Sequence, residues 1–386
     1  MYMQDFFITE NHLVLRRIFL SLDAYSLRAS KLVHSSWYLF IRDYIYKSPS
    51  CRKELSLILE YQWIKAKPEL SSFTSPKPIF HLDADTSNVI CGMDSGQIEI
   101  RNAHSLMLEK TLGSRNHNCY TRVSMNSQYV ASGFFNCTLS LWKRNDDYKL
   151  ADEIQMRHSI FGIKITEGCN IVISMVDGNV ETYTVSEESK LIQKWIFNSS
   201  SPRLLNNFDC DDERVFCGTS NGIVNVWDLS NGNNVFSKSI SDKILQTFVA
   251  GKRGIALLKG GMSASRVQVW NLENGEILKD FSTERIRSCS LYANRFVILT
   301  PERFSVLNVN DLSRGFQENP CYPYQLRKNS WTCCKVLKDR LIIFGSDTHI
   351  CILNFWKGSE VYSSESSKEG GHDNSPLKFV KKLYIC

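Results

Sequence analysis

Two hydrophobic periods divide the chain. Over residues 13–46 apolar positions recur at intervals of three and four: Leu13, Val14, Leu15, Ile18, Phe19 and Leu22 share one face, with Arg16, Arg17 and Ser21 opposite. That is the spacing of an amphipathic helix. Residues 23–26 interrupt it, Leu27, Ala29, Ser30 and Val33 give a second short helix, and Ser35 or Ser36 can cap a third that carries Trp37, Phe40, Ile41, Tyr44 and Ile45. A three-helix domain is therefore expected over residues 8–48. Residues 51–67, with Leu55, Ile58, Leu59, Tyr61, Trp63 and Ile64, read as a further helix, and Pro68, Pro76 and Pro78 end helix formation. Residues 49–77 are accordingly read as a linker.

From residue 78 the period changes to two. The clearest unit is residues 214–229: an apolar run (Val215, Phe216, Cys217), a Gly/Ser/Asn turn from Gly218 to Gly222, then Ile223, Val224, Asn225 and Val226 closing on Trp227 and Asp228. β-Branched and aromatic residues suit a half-buried pleated surface and glycine supplies turn dihedrals, so this is a hairpin. The offset from Gly218 to Trp227 recurs from Gly92 to Arg101, Gly133 to Trp142, Ser174 to Tyr183, Gly261 to Trp270 and Gly345 to Asn354. A degenerate copy at residues 296–312 has its turn reduced to Pro301, Glu302 and Arg303. Seven copies thus follow one another at a period of roughly 40–45 residues. A lone four-stranded sheet cannot bury both faces, so such units stack around an axis and each covers its neighbour. Trp142, Tyr183, Trp227 and Trp270, at strand ends, are expected to pack between units.

The period, the Gly-to-Trp offset, Trp142, Trp270 and the Trp227-Asp228 pair resemble the repeats of WD-type β-propellers. The family's Gly-His pair survives only at Gly371-His372, and Trp-Asp only once. The resemblance implies an all-β propeller over residues 78–386. Residues 363–371 have linker composition, and residues 371–386 resemble the first two strands of one more blade. Seven blades are expected, with two explanations of the tail open: an eighth blade completed by residues 70–77, or a truncated sequence.

The helical front resembles the F-box: Val14, Leu15, Ile18, Phe19, Leu22, Asp23, Ser26 and Leu27, then Val33, Trp37 and Asp43, keep that family's spacing. Glu10, Asn11, His12 and Leu13 stand where the family opens with Leu-Pro-x-Glu, and His34 stands where it usually has Cys. The resemblance implies that Val14, Leu15, Ile18, Phe19, Leu22, Leu27, Val33 and Trp37 bind a Skp-type adaptor, and through it a cullin–RING ubiquitin ligase. The fold class is thus mixed, a small all-α F-box-like domain ahead of an all-β propeller. The function expected is a substrate-recognition subunit of a Skp–cullin–F-box E3 ligase. The alternative is a non-catalytic WD-repeat scaffold whose helices only cap the propeller.

Composition narrows the classes. Of 386 residues 43% are apolar and 22% charged, the balance of a folded chain. No apolar run reaches the roughly 20 residues of a membrane helix, and the first residues lack a basic signal-peptide region, so no membrane association is expected. The 13 cysteines are scattered, form no Cys-x-x-Cys pair and often fall on strands (Cys91, Cys137, Cys217, Cys351), which suits reduced thiols in the cytoplasm or nucleus. A net charge of +6 permits an acidic partner without pointing to nucleic acid, and none is expected.

No nucleophile elbow, phosphate loop or metal-ligand spacing is present, so no enzyme activity, cofactor or metal is expected. What does recur is a basic residue just ahead of the first strand of successive blades: Arg157, Arg203, Lys243, Arg285 with Arg287, and Lys328, with Arg122 a few residues into blade two. Converging guanidinium and ammonium groups suit carboxylate or phosphate, so these six are the expected contacts for an acidic or phosphorylated protein substrate. The acidic run Asp209, Asp211, Asp212 and Glu213 reads as a solvated turn on the opposite face.

Overall fold

The computed structural model describes Phe40, Trp63 and residues 68–355, the latter apart from 104, 114–119, 199–206, 261–263, 301–302, 320–330, 338–339 and 346–347. Phe40 and Trp63 are helical and buried. The proposed adaptor-binding residues and the eighth-blade candidate lie outside the described residues.

Pro68–Lys357 forms one compact unit. Its strands build seven four-stranded antiparallel sheets, each running from an inner strand a to an outer strand d. β1 (Glu69–Thr74) comes first in the chain but belongs to the last blade. Blade 1 is β2 (Ile79–Ala84), β3 (Asn88–Met93), β4 (Ile98–Asn102) and β5 (Leu108–Leu112). Blade 2 is β6 (Thr121–Met125), β7 (Tyr129–Phe134), β8 (Thr138–Lys143) and β9 (Lys149–Gln155). Blade 3 is β10 (Ile160–Ile165), β11 (Asn170–Met175), β12 (Asn179–Val185) and β13 (Leu191–Asn198). Blade 4 is β14 (Asn207–Cys210), β15 (Arg214–Gly218), β16 (Ile223–Asp228) and β17 (Asn234–Ser239). Blade 5 is β18 (Ile244–Ala250), β19 (Arg253–Lys259), β20 (Ala264–Asn271) and β21 (Ile277–Glu284). Blade 6 is β22 (Ser288–Tyr292), β23 (Arg295–Leu299), β24 (Phe304–Asn308) and the two-residue β25 (Gln317–Glu318). Blade 7 is β26 (Trp331–Val336), β27 (Arg340–Gly345) and β28 (His349–Asn354), completed by β1.

β1 pairs antiparallel with β28, from Glu69 opposite Asn354 to Thr74 opposite His349. The amino-terminal strand therefore closes the ring. This revises two sequence expectations: residues 69–74 are not linker, and they complete a seventh blade, which takes them away from any eighth. The physical gain is that the sheet of blade 7 acquires its outer strand from the far end of the chain, so the ring cannot open without breaking a ladder.

The Gly-to-Trp offset has a structural cause at each end. A Cβ on Gly133 would lie 2.5 Å from Ile160 Cγ2, and one on Gly218 would lie 2.3 Å from Ile244 Cγ2. Each glycine lies at or next to the end of a strand b, where the first residue of the next blade packs against it. At the other end, the c–d register shifts at Arg101, Trp142, Tyr183, Trp227 and Trp270, the end markers of blades 1 to 5. A bulge there increases local twist and re-aims the side chain. Trp227 stacks on Phe197 of the preceding blade at 4.9 Å, and Trp270 on Phe236 at 6.4 Å.

The core accordingly sits at blade boundaries. Ile171, Ile173 and Tyr183 of blade 3 cluster with Leu139 and Leu141 of blade 2. Ile342, Ile350 and Ile352 of blade 7 cluster with Val89 and Met93 of blade 1, with Phe73 of β1 packed against them.

Candidate functional site

The inner strands surround a channel of about 1510 Å³. Side chains alternate along a strand, so every second residue of each strand a faces the channel, and matching positions of the seven strands make one tier of its wall. One tier holds Asp83, Ser124, Lys164, Asp209, Phe248, Ser290 and Lys335, one from each blade, and nearer the start of the strands lie His81, Arg122, Gly162 and Gln246.

Polar members of this tier form a hoop of contacts across six of the seven blade boundaries. Asp83 Oδ2 accepts the Ser124 hydroxyl at 3.1 Å and the Met125 N–H at 2.9 Å. Ser124 Oγ in turn accepts the Ile165 N–H at 3.1 Å, Asp209 Oδ2 the Val249 N–H at 2.9 Å, and Ser290 Oγ the Val336 N–H at 3.1 Å. Each bond crosses one blade boundary, and all but the Ser124 hydroxyl bond satisfy a backbone N–H. The two lysines of this tier each pair with the following carboxylate, Lys164 with Asp209 and Lys335 with Asp83, the latter at 2.6 Å across the seam between blades 7 and 1.

Burial pushes the Asp83 carboxyl up, but the Lys335 ammonium and the N–H groups of Met125 and Ala84 outweigh it and hold the group below the usual carboxylate range. Burial lowers Lys164, yet the Asp209 carboxylate prevails and raises its pKa. Burial, aided by the Arg122 guanidinium, pulls the His81 imidazole down to about 3, so it is neutral and free to accept the Val123 N–H at Nδ1.

In antiparallel blades the a–b and c–d connections lie on one face and the b–c and d–a connections on the other. Arg157, Lys243, Arg285 and Arg287 are exposed on d–a connections. None of these four contributes to the channel wall, whose cations among the described residues are Arg122 nearer the start of the strands, Lys164 and Lys335 near the middle, and Lys252 and Arg253 at the a–b end. Arg203 and Lys328 lie outside the described residues. Asp209 is not in a solvated turn as its neighbours suggested: it sits on β14, faces the channel and is 8% exposed, because Lys164 and the Val249 N–H give its charge partners there. Asp211, Asp212 and Glu213 do form the a–b turn, where Asp211 Oδ1 accepts the Glu213 and Arg214 N–H groups.

On the b–c and d–a face the structure adds a feature that single residues did not announce. Phe80 and Tyr120 stack at 4.0 Å, Phe135 meets Tyr120 edge-on at 6.0 Å, and the Arg122 guanidinium lies over the Phe80 and Phe161 rings at 5.5 and 5.6 Å. These groups come from blades 1, 2 and 3. Phe80, Tyr120 and Phe135 are exposed. The only sequence signal was an aromatic residue near the start of several a strands.

Among the described residues no three His, Cys, Asp or Glu side chains are grouped to hold a metal ion, and no helix is long and apolar enough to cross a membrane. No protein-family model matches the chain. Solved structures do. The WD40 repeats of RRP9 align with a TM-score of 0.62 at 13% identity, covering 75% of this chain and 98% of that one. The chain has the WD40 propeller fold. Sqt1 of Saccharomyces cerevisiae aligns at 0.57 and 12% identity, covering 76% of this chain and 87% of its own. The β-propeller domain of Myceliophteria thermophila Cps50 (Swd1) aligns at 0.55 and 12% identity, covering 74% and 98%. At such identities the WD40 likeness concerns the fold, while the chemistry of the site rests on this chain's own residues.

Proposed function

We propose that this chain is a non-catalytic recognition subunit: the WD40 propeller holds a client protein on its b–c and d–a face, and the amino-terminal helices dock a Skp-type adaptor of a cullin–RING ubiquitin ligase. The client would then be presented to a partner enzyme for ubiquitin transfer, which requires no thioester cysteine in this chain. The observation that carries the client half is the aromatic cluster of Phe80, Tyr120 and Phe135, exposed on a face whose connections carry Arg157, Lys243, Arg285 and Arg287. Exposed contiguous aromatics mark interaction surfaces, and cations on the same face favour an acidic or phosphorylated client. Arg203 and Lys328 belong to the same proposed set.

The adaptor half is supported by the residue spacing from Val14 to Trp37. Buried reduced thiols such as Cys91 and Cys217 suit a cytoplasmic or nuclear protein. A scaffold whose helices merely cap the propeller is the competing reading, favoured by the missing Leu-Pro-x-Glu at residues 10–13. One experiment separates them: co-purification with a Skp-type adaptor of the wild-type chain and of Ile18→Asp with Phe19→Asp. The ligase reading expects recovery by wild type and loss in the variant; equal recovery of both, or none with either, supports the scaffold.

A further inference from the structure

Among the described residues, the large apolar side chains exposed on the b–c and d–a face fall in blades 1 to 3. They are Phe80 (39% exposed), Tyr120 (50%), Phe135 (45%) and Val176 (48%). Other exposed apolar residues, such as Leu150, Ile192, Ile196 and Ile277, sit on outer strands. Tyr120, Phe135 and Val176 are linked through the backbone, and Phe80 stacks on Tyr120. The Phe135 N–H donates to the Tyr120 carbonyl at 3.2 Å, the Ser159 hydroxyl to the Phe135 carbonyl at 2.7 Å, and the Val176 N–H to the Ser159 carbonyl at 3.1 Å. Side chains of three blades thus present one shelf.

The charge beside the shelf decides what fits. Phe80 offers one ring face to Tyr120 and has the Arg122 guanidinium over its ring, and Phe161 also lies under that guanidinium. With a cation already placed against these rings, a cationic side chain seeking an aromatic face meets like charge, whereas a carboxylate meets opposite charge.

The geometry points to a specific occupant: an extended segment of a client protein that seats a bulky apolar side chain on Tyr120, Phe135 and Val176 and directs a neighbouring Asp or Glu to Arg122. This rests on the reading of the propeller as the client-binding half, and it deepens that reading in two ways. The client needs an apolar anchor as well as acidity, and it binds off-centre, over blades 1 to 3, without requiring Arg285 or Arg287.

Selection of random peptides displayed against the full-length chain, counter-selected on Tyr120→Ala with Phe135→Ala, tests this. Enriched peptides are expected to pair a bulky apolar residue with Asp or Glu. The leading peptide, made synthetically, should lose about tenfold or more in affinity for the double variant and for Arg122→Gln. Changing its acidic residue to the amide should cost wild type as much and Arg122→Gln nothing further. Tyr120 and Phe135 are exposed, so the double variant should melt with wild type and remain an informative arm if Arg122→Gln folds poorly. Absence of enrichment, enrichment of peptides that bind the double variant normally, or an oligothymidylate that binds wild type and is lost with the same substitutions would each overturn the assignment. Adaptor recovery is scored on the same variants. If the peptide discriminates but no adaptor is recovered by wild type, the ligase reading falls and the shelf stands; the converse result removes the shelf alone.

Discussion

Replacing Asp83 by Ala should destabilise the propeller by about 3 kcal/mol. The carboxylate joins three blades, taking the Met125 N–H at 2.9 Å, the Ser124 hydroxyl at 3.1 Å and the Lys335 ammonium at 2.6 Å. Without it, the Met125 N–H faces the channel lacking its acceptor, which costs about 1–3 kcal/mol. The Lys335 side chain, 32% exposed, stays partly hydrated and adds only about 1 kcal/mol. Asp83→Asn keeps an acceptor oxygen for the N–H and loses chiefly the charge, so about 1 kcal/mol is expected. For a unit of this size 1 kcal/mol corresponds to about 2 °C in melting temperature, giving shifts of about 6 °C for alanine and about 2 °C for asparagine. The pH dependence follows from the depressed folded pKa of Asp83: its contribution is present above the unfolded carboxylate value and is lost as pH falls through the lower folded one. The gap between wild type and Asp83→Ala should therefore be full near neutrality and narrow as the pH drops below about 4. Thermal melting across that range is the assay. Equal shifts for Ala and Asn, or a gap that widens on acidification, would refute the view that the inner hoop is held by this carboxylate.

Three further outcomes follow from the same geometry. Phe73→Ala should cost about 2 kcal/mol in chemical denaturation, because the ring joins the closing strand to the cluster of blades 7 and 1 and lies under the Arg101 guanidinium at 4.0 Å. Gly218→Ala should cost about 1–3 kcal/mol, since its new Cβ would collide with Ile244, and adding Ile244→Ala should cost less than the separate effects combined. The Cys91 thiol, buried and pushed up to about 12, should resist maleimide at neutral pH in the folded chain and label readily in urea, with mass spectrometry reading the site.

The blade architecture was legible because both ends of the repeated unit have strict local causes. Gly133 and Gly218 leave room for the isoleucine that begins the next blade, and the bulge at Trp142, Trp227 and Trp270 places a ring on the preceding one. Such requirements leave a fixed offset in the sequence. Ring closure left none: residues 69–74 pair with residues at the opposite end of the unit, and a Ser- and Thr-containing strand preceded and followed by prolines reads locally as linker. The channel charges were half legible. A lone Lys164 or Asp209 on an apolar strand is visible, but their pairing crosses a blade boundary and depends on register. Acidity next to Asp211 and Asp212 therefore drew Asp209 into the wrong element. The aromatic shelf was hidden for a related reason, as Phe80, Tyr120 and Phe135 belong to three separate segments and each alone reads as core.

If the chain grips two proteins with separate parts, the two binding activities are separable by substitution. Full-length wild type, Ile18→Asp with Phe19→Asp, and Tyr120→Ala with Phe135→Ala are each titrated with a Skp-type adaptor and with the selected peptide. The account predicts that the first pair of substitutions abolishes adaptor binding and spares the peptide, while the second pair does the reverse. Adaptor binding indifferent to Ile18 and Phe19, or both activities falling together in properly folded variants, would contradict it.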